Sequence, residues 1–426
     1  MSKTGWRSWG AAALIAGGLA AGPARAQETI KIGVLHSLSG TMAISETTLK
    51  DAMLMLIDEQ NRRGGVLGKK LEAVVVDPAS NWPLFAEKAR ELIAKDKVSA
   101  VFGCWTSVSR KSVLPVFKEL DSLLFYPVQY EGEESERNVF YTGAAPNQQA
   151  IPAVDYLIKE ENVQRWVLEG TDYVYPRTTN KILEAYLKSK GVKPEDISIN
   201  YTPFGQSDWQ TRVAAIKSFG SAGKKTAVVS TINGDANVPF YKELANQGIK
   251  AIDIPVVAFS VGEEELAGID TKPLVGHLAA WNYFQSIETP ENKAFIDKWR
   301  AFTKNAKRVT NDPMEAHYVG FNMWVKAVEK AGSAEPGKVI AALPGIKQPN
   351  LTGGVSEMLA NHHITKPVFI GEIKDNGQFD VVFKTEELIP GEAWSKQLDG
   401  SKDLEADWVK LNCGNYNTKT KKCGGA

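Results

Sequence analysis

The chain has 426 residues, of which 43% are hydrophobic, enough for two domains with ordinary cores. Lys and Arg together number 50, as do Asp and Glu, and this balance argues against a nucleic-acid-binding protein. No apolar run of about 18 residues lies outside the N-terminus, so the sequence predicts no transmembrane helix.

Residues 1–26 have the pattern of a secretory signal peptide. Lys3 and Arg7 form a basic start, residues 10–22 are small and apolar, and Ala24-Arg25-Ala26 is a cleavage site that would leave Gln27 first. The alternative is an uncleaved membrane anchor, which the short apolar run disfavours. Export predicts a periplasmic location.

The periplasm is an oxidising compartment, so disulfide formation is considered for the three cysteines. Cys413 and Cys423 share the polar C-terminal tail and could pair with each other. Cys104 ends an apolar strand pattern and is expected to be a buried thiol. Their spacing does not match the usual zinc ligand sets.

Strand and helix patterns alternate in the first half of the mature chain. Strands are predicted at 30–35, 71–76, 98–102 and 123–126. Helices lie between them, one of them over Pro83–Lys95, and Pro115 is expected to kink or end the helix after the third strand. This order indicates a parallel sheet with right-handed crossovers.

The alternation starts again after Asn147. Strands are predicted at 165–168, 197–201, 226–230, 255–259 and 278–283, helices at 291–302 and 313–331, and late strands at 355–357, 368–373 and 379–383. The predicted fold is therefore α/β, with two doubly wound parallel-sheet lobes and an extended tail that packs over the body.

Enzyme signatures are missing from the sequence, which has no G-x-S-x-G elbow, no H-E-x-x-H and no Rossmann glycine fingerprint. His362 and His363 are adjacent, so their side chains should diverge, and surface polar residues are expected rather than metal ligands. We predict no catalytic residue, no cofactor and no metal.

Polar and aromatic residues follow the predicted strands in both halves, where open α/β sheets bind small ligands. The predicted ligand-lining residues are Trp105, Thr106, Ser107, Tyr126, Tyr173, Tyr175, Thr231, Asn233, Asp235, Ser260 and Tyr283. Each could instead be a helix cap, a turn residue or core packing. Taken together, they suit a flat, uncharged ligand whose N–H groups need acceptors.

Several longer motifs carry a resemblance to one family. They are Gly103–Lys111, Phe125–Gly132, Gly143–Gln149, Thr171–Arg177, the start Ile32–Ala43, and Gly276–Phe284. From about Thr29 to Phe383 the chain resembles type I periplasmic binding proteins of the branch that carries urea or short amides. In the amide-binding relative the ligand contacts residues that match Ser107, Tyr126, Tyr173 and Tyr175. Val128-Gln129 replaces a Thr-Pro pair of that relative, and the surrounding motif looks like the urea branch.

The resemblance implies a hinge with multiple crossovers between the lobes. The expected division is 27–147 with about 289–345 as lobe 1, 148–288 with about 346–385 as lobe 2, and 386–426 as the tail. It also implies a monomer that binds urea in the interlobe cleft and delivers it to the membrane permease of an ABC importer. Alternatives are a formamide or acetamide binder, a cytoplasmic amide sensor, which the signal peptide disfavours, and an amidohydrolase.

Asp235 is the residue that separates urea from amides in this hypothesis. Urea has two NH2 groups and needs acceptors on both sides of its carbonyl. Asp235 is the carboxylate found directly after a second-half strand, and could accept from the second NH2 group. The alternative is that Asp235 caps the helix that begins near Ala236.

Overall fold

The computed structural model describes residues 1–5 and 28–424. The apolar run and cleavage site of the predicted signal peptide therefore lie outside the described residues. Within the described ranges, no helix combines the length and the apolar character needed to cross a membrane.

The first lobe is built on a five-stranded parallel sheet, in the order β2-β1-β3-β4-β5. Its strands are β1 (Thr29–Leu35), β2 (Lys70–Val76), β3 (Ala100–Gly103), β4 (Leu124–Tyr126) and β5 (Val139–Tyr141). The first four confirm the predicted strands, and β5 was not predicted. Because Leu35 aligns with Gly103 and Tyr126 with Tyr141, the carboxyl ends of these strands meet at one edge.

Three helices connect these strands: α1 (Ala43–Arg62), α2 (Trp82–Arg90), which continues into a π-helical turn at Glu91–Lys95, and α3 (Ser107–Glu119). Pro115 does not end this helix, because α3 continues through it to Glu119. Pro115 is exposed, so water can bind the carbonyl that the missing N–H group leaves free.

The second lobe is built on a seven-stranded sheet. The chain enters it through α4 (Ala150–Lys159), followed by β6 (Arg165–Thr171), α5 (Val174–Ser189), β7 (Ile197–Thr202), α6 (Gln210–Gly220), β8 (Thr226–Thr231), α7 (Asn237–Asn246), β9 (Val256–Ala258), α8 (Glu263–Leu266) and β10 (Leu278–Trp281). The strands β6 to β10 are parallel and confirm the predicted positions.

The chain then returns to the first lobe. The helices are α9 (Pro290–Thr303), α10 (Asp312–Ala331) and α11 (Pro336–Ala342), followed by the short strands β11 (Lys347–Pro349), β12 (Val355–Glu357) and β13 (Thr365–Lys366). Trp324 of α10 and Leu351, Met358 and Ile364 of the following segment are buried in the core of the first sheet. The lobe division itself stays a proposal, and this packing moves its late boundary from about 346 to about 367.

Two antiparallel strands, β14 (Phe369–Ile373) and β15 (Phe379–Lys384), complete the second sheet, in the order β15-β14-β10-β9-β8-β6-β7. Asn282 connects the passages between the lobes, because its side-chain amide donates to Gln148 O at 2.9 Å and to Pro367 O at 2.6 Å. All three residues are at points where the chain passes from one lobe to the other.

The C-terminal tail is more ordered than predicted. It contains β16 (Ile389–Pro390), which pairs with β13, and a three-stranded sheet of β17 (Leu404–Asp407), β18 (Cys413–Asn417) and β19 (Lys422–Cys423). A disulfide joins Cys413 to Cys423, as predicted, and Cys104 is free and buried.

Candidate functional site

The loop after β3 places three predicted residues at the edge where the strands end. Thr106 caps α3, since its hydroxyl oxygen accepts the N–H of Ser109 at 3.2 Å. Ser107 follows as the first residue of α3, and Trp105 precedes Thr106. Tyr126 ends β4 beside this loop, and its hydroxyl donates to Trp105 O.

Ser107 belongs to a buried charged network that the sequence alone did not predict. Its hydroxyl donates to Glu131, and it accepts from Arg110 Nη1 at 3.2 Å. The same guanidinium donates to Glu131 Oε1 at 3.1 Å and to Glu134 Oε1 at 2.7 Å. Arg110 also lies over the rings of Tyr126 and Tyr130, at 4.6 and 4.7 Å from their centres.

The charges of this network balance internally. Burial by itself would raise the pKa of Glu134, but Arg110 and Lys111 lower it to about 2. Arg110, Glu131 and Glu134 are all buried. The guanidinium is therefore fully engaged by two carboxylates, an arrangement that holds Ser107 and Glu131 in fixed positions.

Gln129 brings the two lobes into direct contact. It lies in the loop between β4 and β5 that also carries Glu131 and Glu134; we call residues 128–135 the binding loop. The Gln129 amide donates to Phe259 O and to Ser260 Oγ, both at 2.7 Å and both in the second lobe. Its own Oε1 is buried and has no hydrogen-bond partner in the part of the chain that the structure describes.

Tyr175 lies beside this junction. Its hydroxyl is buried and lies near Gln129 and Ser260, but within the described ranges no hydrogen bond of ordinary length reaches it. Burial raises the pKa of Tyr175 above its ordinary value, so the phenol stays protonated and can donate. Gln129 Oε1 and the Tyr175 hydroxyl are thus an acceptor and a donor between the lobes that no described residue binds at ordinary hydrogen-bond length.

Two further contacts close the cleft. Trp105 Nε1 donates to Asn233 Oδ1 of the second lobe at 3.3 Å. On another side, the ring of Phe204 lies between Tyr173, which is also in the second lobe, and Trp82 of the first lobe. The ring centres are 4.8 Å apart for Phe204 and Tyr173 and 5.2 Å apart for Phe204 and Trp82. Burial raises the pKa of Tyr173, and neighbouring Tyr126 and Tyr175 contribute to the shift.

The structure brings together Ser107, Tyr126, Trp105, Tyr173, Tyr175, Asn233 and Ser260, and Thr106 lies in the same loop as the cap of α3. Three other predicted residues lie elsewhere. Thr231 donates to Glu169 O at 3.3 Å inside the second sheet. The Tyr283 hydroxyl is bonded to Asn292 Oδ1 and Thr310 Oγ1, and its ring lies in the core of the first lobe.

Asp235 is the third of these residues. Its side chain is exposed, and its backbone N–H donates to Thr41 O of the first lobe at 3.1 Å. It lies in a short 3-10 turn, Gly234–Ala236, at the edge of the cleft. The carboxylate that the structure does place among the predicted residues is Glu131, which lies within the quoted Phe125–Gly132 motif.

His362 and His363 are not surface residues, contrary to expectation. Both are buried, and they stack on Phe140 and Tyr141 with ring centres 4.2 and 4.5 Å apart. Burial lowers the pKa of His363 to about 4, so its ring is neutral. In the described part of the chain, no cluster of His, Cys, Asp and Glu has the arrangement of a metal site.

Comparison with known proteins supports the same architecture. A family model described as "Periplasmic binding protein domain" matches residues 30–400. The Leu/Ile/Val-binding protein BraC3 of Rhizobium johnstonii is 25% identical over 327 residues, 74% of this chain and 83% of that protein. A shorter match, 30% identical over 120 residues, covers 28% of this chain and only 22% of the limonene hydroxylase of Geobacillus stearothermophilus.

Solved structures agree in fold. A solute-binding protein of an ABC transporter from Rhodopseudomonas palustris HaA2, in complex with p-hydroxybenzoic acid, has a TM-score of 0.76 at 23% identity and covers 87% of this chain and 99% of that chain. The branched-chain amino acid binding protein LivJ of Streptococcus pneumoniae, in complex with isoleucine, has a TM-score of 0.70 at 21% identity, covering 85% and 100%.

The fold and the cleft define a two-lobed solute-binding protein, of the type I α/β class. Since the family model matches most of its length, the chain belongs to the periplasmic binding protein family. It is a periplasmic solute-binding protein by family, and the relatives that match across most of its length are binding proteins rather than enzymes.

Proposed function

We propose that this protein binds urea between its lobes and delivers it to the membrane permease of an ABC importer. The observation that carries this proposal is a pair of buried polar groups at the lobe junction, Gln129 Oε1 and the Tyr175 hydroxyl, which have no hydrogen-bond partner of ordinary length among the described residues. A small solute with both N–H donors and a carbonyl acceptor would satisfy both groups, each of which costs roughly 1–3 kcal/mol when left unpaired.

The charge distribution favours a neutral solute. Arg110 is already paired with Glu131 and Glu134, so it offers no free positive charge to a ligand carboxylate. A carboxylate placed beside Ser107 would instead face Glu131, and two buried like charges repel. Urea and short amides carry no charge and avoid this repulsion.

The geometry of the junction favours a small solute. Gln129 reaches Phe259 and Ser260 directly, and Trp105 reaches Asn233 directly. A ligand as large as a benzoate would hold these pairs apart, whereas urea has about four heavy atoms. At about −1.5 kcal/mol per heavy atom, such a ligand reaches roughly −6 kcal/mol, a Kd of tens of micromolar.

The two NH2 groups of urea require hydrogen-bond acceptors on both sides of its carbonyl group. Glu131 and Gln129 Oε1 are the two buried acceptors that the binding loop carries toward the cleft. In this proposal they take the acceptor role that the sequence suggested for Asp235. Ser107, Tyr126, Tyr173 and Tyr175 remain proposed ligand contacts, with Trp105 and Asn233 closing one side.

A thermal-shift panel followed by calorimetry tests the proposal. The ligands are urea, formamide, acetamide, isoleucine and 4-hydroxybenzoate, with buffer alone as reference. We expect urea to raise Tm and to bind with a Kd of tens of micromolar or weaker. Stabilisation by isoleucine or 4-hydroxybenzoate without urea would contradict the proposal, and a preference for acetamide would assign the short-amide alternative. Prolonged incubation with urea should release no ammonia.

The proposed role also requires export. We propose cleavage after Ala26, so that the mature protein starts at Gln27. N-terminal sequencing of protein from the periplasmic fraction of its host should give Gln27, and a dominant cytoplasmic form that retains Met1 would contradict both the export and the transport role.

A further inference from the structure

The C-terminal segment, residues 389–424, contacts the binding loop directly. The loop turns through two consecutive residues in the left-handed region, Gly132 with φ 68° and Glu133 with φ 55°. This turn directs Glu131 and Glu134 inward to Arg110 and leaves Glu133 pointing away from the cleft.

Glu133 is held by the C-terminal segment through three hydrogen bonds. Its backbone N–H donates to Ala393 O at 2.7 Å. Its carboxylate accepts the backbone N–H of Ser395 at 2.7 Å and the hydroxyl of Ser401. All three partners of Glu133 belong to the C-terminal segment and none to the first-lobe sheet, so this segment holds the outer side of the loop.

The backbone of the C-terminal segment also packs closely against the binding loop at two glycines. A Cβ atom on Gly132 would lie 3.1 Å from Ala393 O. Further along, a Cβ on Gly414, next to the disulfide residue Cys413, would lie 2.4 Å from Ser135 O. The backbones of loop and tail therefore approach each other at two points about three residues apart along the loop.

We propose that the C-terminal segment acts as a clamp on the binding loop and that Glu133 is a positioning residue for solute binding. The inference rests on the proposed function, because the clamped loop carries Gln129 and Glu131. A loop that is already ordered loses less conformational entropy on binding, so clamping raises affinity without touching the solute.

The test compares Glu133→Ala with Glu136→Ala. Glu136 is three residues away, but its carboxylate pairs with Lys118 of α3 at 2.7 Å rather than with the tail. Urea affinity is measured by calorimetry well below Tm, and hydrogen exchange of residues 128–135 is measured without ligand. For Glu133→Ala we expect about tenfold weaker binding and faster exchange. Glu136→Ala should stay within about twofold of wild type.

A conservative series separates positioning from general damage. Glu133→Gln keeps an acceptor oxygen and should recover part of the affinity. If Glu133→Ala does not fold, Ser401→Ala removes a single contact to Glu133, with Ser395→Ala as control because the Ser395 contact uses the backbone. A lower Tm with unchanged affinity and unchanged exchange in residues 128–135 would overturn the clamp.

The two proposals fail separately. Wild-type protein that does not bind urea contradicts the proposed function, while hydrogen exchange in the ligand-free protein still decides the clamp. Wild-type protein that binds urea, together with Glu133→Ala of equal affinity and equal exchange, leaves urea binding standing and contradicts the clamp alone.

Discussion

The side-chain nitrogen of Gln129 lies 2.7 Å from Ser260 Oγ, and this contact joins the first lobe to the second beside Tyr175. Both residues are buried. Gln129 therefore has two roles in the proposed site: its amide nitrogen favours the closed arrangement of the lobes, and its free oxygen faces the solute. Closure and solute recognition are coupled through one side chain, so a solute that binds the closed form shifts the population toward it.

Gln129→Leu should weaken urea binding by roughly 1–3 kcal/mol, about fivefold to more than a hundredfold in Kd. The variant loses both the acceptor for urea and the hydrogen bonds that favour closure. Calorimetry measures the change. Gln247→Leu is the matched control, since Gln247 bonds to Gln210 O and Glu243 outside the cleft. Equal affinities for wild type and Gln129→Leu would remove Gln129 from the site.

Asp235→Ala should change urea affinity by less than about 0.5 kcal/mol, because the carboxylate is exposed and the contact to Thr41 uses the backbone. Asn233→Ala should have a larger effect, since it removes the acceptor of Trp105 Nε1 at the lobe junction. The two variants are compared by calorimetry with urea and acetamide. A selective loss of urea binding in Asp235→Ala would restore Asp235 as the second acceptor.

The double variant Cys413→Ser/Cys423→Ser should lose about 2–3 kcal/mol of unfolding free energy, the value expected for a short closed loop. Guanidinium chloride unfolding is the suitable measurement, because urea is the proposed ligand. Peptide mapping without reductant should link Cys413 to Cys423 and leave Cys104 as a free thiol. A link that includes Cys104 would contradict the pairing.

Stability should depend on pH through Glu263. Burial, with smaller contributions from Glu265 and Asp312 nearby, raises the pKa of this carboxyl to about 8. The folded state then binds a proton that the unfolded state has released, so this contribution is fully present below the unfolded pKa of about 4.5 and is lost as pH rises through about 8.

Glu263→Gln removes this dependence, because it keeps the acceptor for the Gln285 N–H and carries no charge. We expect its Tm to exceed that of wild type by more at pH 8.5 than at pH 5. Glu195→Gln, at an exposed position, should show no such difference. A Tm difference for Glu263→Gln that is independent of pH would show that Glu263 does not titrate in this window.

The amino-acid sequence by itself determined the alternation of strands and helices, because local periodicity is visible along one chain. The class of protein followed from the resemblance that the longer motifs carry, and the tail disulfide was a prediction from two cysteines close together in the polar tail. The sequence also pointed to the strand ends that carry Ser107, Tyr126 and Tyr175. Arg110 and Glu131 were present in the quoted motifs, yet nothing in their spacing shows that they are buried together.

Only the tertiary structure decided which residues meet across the cleft. Gln129 and Ser260 are far apart in the chain, and whether Asp235 faces the cleft or the solvent depends on the path of a short turn at the lobe edge. The same holds for Glu133, whose partners lie in the C-terminal segment. Contacts between distant segments depend on how the lobes dock, and hydrophobic periodicity carries no information about docking.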